Sequence, residues 1–308
     1  MKVLCTAMTR ANSLLPDPAT IARLQGLELR ARTIVEGMMP GAHRGRHGGF
    51  SIEFAEHREY TPGDDLRYVD WKVYGRTDKI YLKQYDQESR LDCYLLFDTS
   101  ESMGYRSATS PLSKFEYARC TAAALIYLIL QQQDSVGLVT FDQEVRSLIR
   151  ARNQPAHWNA LLQALEGTTA TGKTATAAAL HAVASQIRRR SLFVLISDLL
   201  DDVTALRDGL RHLRHRRHEV IVLQLLDRAE LDFPFRQPAR FLGMEQLPDI
   251  ALDPQLMRSA YLEEMASFRQ ALRQACRVTQ CDYSLFPTDE PLHRTLAHYL
   301  ASRSLSVR

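Results

Sequence analysis

The sequence predicts an α/β fold: a doubly wound, mostly parallel sheet with helices on both faces, preceded by a small, charged, β-rich subdomain. Three observations predict it. From residue 91 onward, short apolar runs alternate with helical patterns, which is how strands buried on both faces read. Three of those runs end in aspartate, at Asp98, Asp198 and Asp227, where open α/β sheets place their ligands. The chain has 308 residues, 45% hydrophobic and 24% charged, a globular composition with room for about two domains.

The elements follow in order. Residues 18–38 carry Ile21, Leu24, Leu27, Leu29 and Ile34 roughly on one side, so the spacing predicts one amphipathic helix, and 1–40 reads as an N-terminal helical segment. The stretch GAHRGRHGGFS (41–51) reads as turns, because glycine permits positive φ. Residues 50–90 mix β-like runs with many charges and are too polar for a core sheet, which sets 41–90 apart as the charged β-rich subdomain. Residues 91–303 form the α/β domain. DCYLLFD, SVGLVTFD, SLFVLISD, EVIVLQLLD and CDYSLFPTD are its strands, with EVRSLIRA as hairpin partner of the second. Its helices are KFEYARCTAAALIYLILQQQ, HWNALLQALEG, ATAAALHAVASQIRRR, VTALRDGLRHLRHR, the run opened by Asp253 and Pro254 as N-cap and N1, and PLHRTLAHYLASR. Residues 229–254 interrupt the alternation as a β-like insertion.

Composition excludes several classes. A net charge of +3 argues against a protein built to coat nucleic acid. The basic runs Arg188–Arg190 and Arg211–His218 sit at helix ends, where cations meet the helix dipole favourably, and lack interleaved aromatics. Arginine outnumbers lysine 33 to six, which fits ion pairing with carboxylates or a GC-rich genome. The five cysteines are odd in number and scattered; Cys276 and Cys281 have no second pair or nearby histidine to make a zinc site. No signal sequence or membrane-length apolar run is apparent, so the expectation is a cytoplasmic protein with no integral membrane segment.

The strongest chemical signal is Asp98-Thr99-Ser100-Glu101-Ser102, directly after a buried strand. One carboxylate and two hydroxyls at i, i+2 and i+4 can be aimed at one point, and hard oxygen donors suit Mg²⁺, Mn²⁺ or Ca²⁺. The pattern resembles the metal-ion-dependent adhesion site, D-x-S-x-S, of von Willebrand factor type A domains. That resemblance implies a threonine from a later loop and an aspartate at the end of the fourth strand, which Thr174 and Asp198 match in order and spacing. It implies that Ser100 and Ser102 ligate the metal, Thr174 does so directly or through water, Asp98 and Asp198 hold coordinated waters, and one position stays open for a partner's carboxylate. Gly167 to Thr174 also matches the P-loop expression G-x-x-x-x-G-K-[ST]. A P-loop must follow a strand, whereas HWNALLQALE before it reads as a helix; a P-loop-type NTPase is the alternative reading. An arginine-rich nucleic-acid binder is another.

The most unusual string is the charged block, with His57, Arg58, Glu59, Asp64, Asp65, Arg67, Asp70, Arg76 and Asp78 packed around a Pro62-Gly63 turn. Its residue types suit a network of arginine forks and carboxylates better than a nucleophile-and-base pair. The run G-x-H-x-G-R-x-G-x-S-x-E-F-x-E-H-R-x-Y-x-P-G-D-D-x-R-x-V-D-W-K-x-Y-x-R-T-D, followed by L-L-x-D-x-S-x-S-M, resembles the bacterial family called domain of unknown function 58. The resemblance covers roughly residues 20–303. It implies a von Willebrand factor A-like domain behind a charged block, and an adaptor or chaperone-like, non-catalytic partner of a MoxR-type AAA+ ATPase. A client with an acidic residue would complete the metal site. One departure is Lys173, a basic residue beside Thr174 where many relatives have glycine.

Overall fold

The structure, a computed structural model, describes residues 17–38, 54–59, 73, 75, 81–85 and 92–306. Two compact units divide the chain: residues 1–40 with 91–308, and residues 41–90. In the second unit, β1 (Phe54–Glu59) pairs antiparallel with β2 (Tyr81–Tyr85), with a bulge between Phe54 and Glu56. Most of the charged block, including Asp64, Asp65, Arg67, Asp70, Arg76 and Asp78, lies outside the described residues, as do the side chains of His57, Arg58 and Glu59.

The first unit opens with α1 (Pro18–Arg23) and α2 (Leu27–Met38). The single helix expected over 18–38 is therefore two. Gly26, at φ +84°, takes a backbone conformation that breaks helical continuity and that glycine adopts without penalty. Ile21, Leu27 and Ile34 are buried, but Leu29 is 49% exposed, because the break resets the helical phase.

After β3 (Asp92–Asp98) and a short 3-10 turn come α3 (Lys114–Gln131), β4 (Ser135–Phe141), β5 (Val145–Arg152), α4 (Pro155–Glu166), α5 (Thr176–Gln186), β6 (Ser191–Ser197), α6 (Val203–His215) and β7 (Glu219–Leu226). Then follow α7 (Arg228–Asp232), the short strands β8 (Ala239–Phe241) and β9 (Ile250–Leu252), α8 (Pro254–Val278), β10 (Asp282–Pro287) and α9 (Leu292–Ser306). Strand order in the central sheet is β10-β7-β6-β3-β4-β5, all parallel except the edge strand β5. This is a doubly wound, mostly parallel architecture. Successive side chains of a strand face opposite sides. Cys93, Leu95 and Phe97 join a core with α2, α3, α4 and α9, while Tyr94 and Leu96 join another with α5, α6 and α8. Among the described residues no helix is long and apolar enough to cross a membrane.

Winding starts at β3, runs outward to β4 and β5, then reverses to β6, β7 and β10. The switch point lies between β3 and β6, which pair in register from Asp92↔Ser191 to Phe97↔Ile196. Asp98 and Asp198 therefore leave the sheet side by side at the place where open α/β sheets bind ligands.

Candidate functional site

Asp98 is fully buried at the end of β3. Its Oδ1 accepts the Ser100 amide at 2.8 Å, which folds the chain into a tight turn. That turn brings Ser100 Oγ to 3.1 Å from Ser102 Oγ, at the head of the 3-10 turn Glu101–Gly104. Oδ2 of Asp98 accepts the Ser197 hydroxyl at 2.5 Å, tying the ends of β3 and β6. Burial first, and then the Asp198 charge beside it, holds the Asp98 carboxyl well above the ordinary carboxylate range.

The loop 167–175 is locked against this turn by backbone bonds: the Thr171 amide donates to Thr99 O at 2.7 Å and the Glu101 amide to Gly172 O at 2.9 Å. Gly172 is required here. Its φ is +89°, and a Cβ would sit 2.8 Å from Asp142 Oδ2. Thr174 stands two residues before α5. The segment does not follow a strand: Gly167 caps α4, its amide donating to Gln163 O at 2.9 Å, and Lys173 is exposed. A P-loop's position after a strand is thus not met.

Two groups in the site escaped sequence reasoning. Lys114, at the first position of α3, is 1% exposed; its ammonium donates to Asp198 Oδ2 at 2.8 Å and to Glu230 Oε1 at 2.6 Å. Burial alone would lower its pKa, but the two carboxylates outweigh burial and raise it. The signal was available: a lysine at a helix N-terminus opposes the dipole, so something else must hold it there. The second is Glu245, from the insertion. Its carboxylate accepts from Thr174 Oγ1 at 2.7 Å, the Thr174 amide at 2.9 Å and the Ser102 amide at 3.4 Å. One side chain thereby links the β3 turn to the Thr174 loop.

Five predicted residues thus fall at one end of the sheet. Asp98, Ser100 and Ser102 share one turn, Thr174 meets that turn across Glu245, and Asp198 touches it through Ser197 and the common charge. Among the described residues no three His, Cys, Asp or Glu side chains gather to hold a metal, so a cation here depends on hydroxyl oxygens. The donors fit a hard divalent ion. An octahedral ion with oxygens at 2.0–2.1 Å sets neighbouring ligands about 2.9 Å apart. The Ser100 and Ser102 hydroxyl oxygens, hydrogen-bonded at 3.1 Å, stand close to that spacing, and Thr174 Oγ1 donates to Glu245 Oε1 at 2.7 Å. Asp198 and Glu230 share the one Lys114 ammonium, and Asp98 lies within the field of Asp198, so carboxylates outnumber the cation that meets them.

The basic runs pair with acids: Arg189 with Asp92, Arg190 with Glu219 and Arg211 with Asp208.

The family described as "Protein of unknown function DUF58" matches residues 56–271, and the chain belongs to it. Uncharacterized proteins of Mycobacterium tuberculosis (strain H37Rv) and Mycobacterium bovis are each 27% identical over 292 residues, covering 93% of this chain and 90% of theirs. Solved structures that align with it include the conserved hypothetical protein BatB from Bacteroides thetaiotaomicron, 13% identical over 70% of this chain and 98% of that one, with a TM-score of 0.45. The SpRpn10 VWA domain is 12% identical over 67% of this chain and 93% of that one, with a TM-score of 0.41.

Proposed function

We propose that this DUF58 chain is a cytoplasmic, non-enzymatic protein-interaction module whose switch-point site takes a divalent cation, Mg²⁺ or Mn²⁺, and through it a partner's carboxylate. The observation that carries the reading is the Ser100–Ser102 hydroxyl pair, 3.1 Å apart beside a fully buried Asp98. Ser100, Ser102 and Thr174 would hold the ion, with Asp98 and Asp198 orienting its waters. A bound cation supplies the positive charge on which an acidic partner residue docks. Lys114 holds Asp198 in place and spares the ion from neutralising it alone.

The partner in this reading is a MoxR-type AAA+ ATPase, with the chain as its adaptor to an acidic client. The test is recovery of that ATPase by the wild-type chain and by the Asp98→Ala, Ser100→Ala double variant, with and without chelator. Loss of recovery on chelation and in the variant is expected. Equal recovery in all arms overturns the reading.

A further inference from the structure

We infer that Glu245 is a carboxylate ligand supplied in cis: the insertion between β7 and α8 caps the site, and an acidic partner gains it by exchanging for Glu245. This rests on the metal-dependent reading above and deepens it. Both oxygens of the Glu245 side chain are engaged, Oε1 by the Thr174 hydroxyl at 2.7 Å and the Ser102 amide at 3.4 Å, Oε2 by the Thr174 amide at 2.9 Å. Its own amide donates to Glu101 Oε2 at 2.7 Å, so the backbone is fastened to the same turn as the side chain.

The insertion is shaped to deliver that carboxylate. Glu245 and Gln246 both lie in the left-handed region, at φ +56° and +66°, a conformation that disfavours side chains with a Cβ. Gly243 closes the same turn; a Cβ there would lie 1.9 Å from Leu247 O. The base of the insertion is packed: Phe233 contacts Phe235, Phe241 and Tyr261 with ring centroids 5.2, 5.9 and 4.4 Å apart. Its tip is not. Leu242 and Leu247 are 74% and 67% exposed, so the tip is held on the site by polar contacts rather than by burial of apolar surface. A firmly seated base and a polar-tethered tip make an arm that can swing off without unfolding the domain. A carboxylate on a hydroxyl-lined cation is exchangeable for another carboxylate of equal charge.

The test uses the full chain with Mn²⁺ as probe, read by electron paramagnetic resonance for affinity and by water-proton relaxation for the waters on the ion, in wild type, Glu245→Gln and Ser100→Ala with Ser102→Ala. Glutarate serves as the exchanging carboxylate. Expected are Mn²⁺ binding by wild type with low relaxivity, about tenfold or more weaker binding by Glu245→Gln with raised relaxivity, and a fall in that variant's relaxivity on adding glutarate. Mn²⁺ binding that the double serine variant abolishes but Glu245→Gln leaves unchanged, in affinity and relaxivity alike, overturns the cis ligand and spares the metal site. No Mn²⁺ binding in any variant overturns both.

Discussion

The ends of β3 and β7 look alike in sequence and differ in chemistry. Each is a buried apolar strand closed by an aspartate with no solvent exposure, and each aspartate's Oδ1 accepts the amide two residues on at 2.8 Å. At Asp227 the remaining oxygen is met by the Ser107 amide at 3.2 Å and by Thr288 Oγ1 at 3.5 Å, and Glu230 closes a capping box on α7. Burial raises its pKa, but the bonds from Ser110, Ala229 and Ser107 outweigh it and hold the carboxyl below its ordinary range. At Asp98 the remaining oxygen receives the Ser197 hydroxyl, and burial first, then the neighbouring Asp198 carboxylate, raise the pKa. A strand-terminal aspartate finishes a helix where its lone pairs are satisfied. At the switch point, where a second aspartate arrives from β6, ionisation is disfavoured by burial and by that neighbour, and a nearby cation would restore it.

Breaking the Lys114 bridge between the two regions should cost most. Lys114→Met leaves Asp198 and Glu230 without their shared partner, and loss of about 3–5 kcal/mol in urea unfolding is expected. A loss below about 1 kcal/mol would show that the ammonium is not central to this end of the sheet.

The two aspartates should then respond with opposite signs. Asp227→Asn removes an ionised cap and should lose about 1–2 kcal/mol at pH 7. A lowered carboxyl stabilises above the unfolded pKa and loses that contribution as pH falls through the folded one, so the deficit should shrink below about pH 4. Asp98→Asn removes a buried charge facing Asp198. In chelator it should gain about 1 kcal/mol, and the gain should grow as pH rises above the ordinary carboxylate value, because a raised carboxyl costs stability on ionising. Matched urea titrations across pH decide this, and equal signs would erase the contrast.

The smallest expected effect is at the cysteines. Burial pushes the Cys93 and Cys276 thiols up to about 12 and Cys120 to about 11. A colorimetric thiol reagent at pH 8 should leave all three unmodified in the native chain and react on denaturation.

Much of the fold was legible because its signals are local. Continuous apolar runs marked β3, β4, β6, β7 and β10, and the run EVRSLIRA directly after the second of them marked β5 as its hairpin partner. The break at Gly26 was not legible, since a single glycine in an amphipathic run is compatible with a continuous helix until its φ is known. The site divides in the same way. Asp98, Ser100 and Ser102 span five residues, and a turn dictates their meeting. Glu245 lies 143 residues from Ser102 and 71 from Thr174, in an irregular stretch whose only cue is composition. Lys114 stood in plain view, but what it pairs with depends on strand order, which no window of sequence contains.

The central claim is that the β3 turn and the Thr174 loop hold a divalent cation. A crystal of the chain soaked in Mn²⁺ and measured at the manganese edge tests it most directly. Anomalous density bounded by Ser100 Oγ, Ser102 Oγ and Thr174 Oγ1 is the expected result. An occupied Mn²⁺ site elsewhere with none beside these three hydroxyls would contradict it.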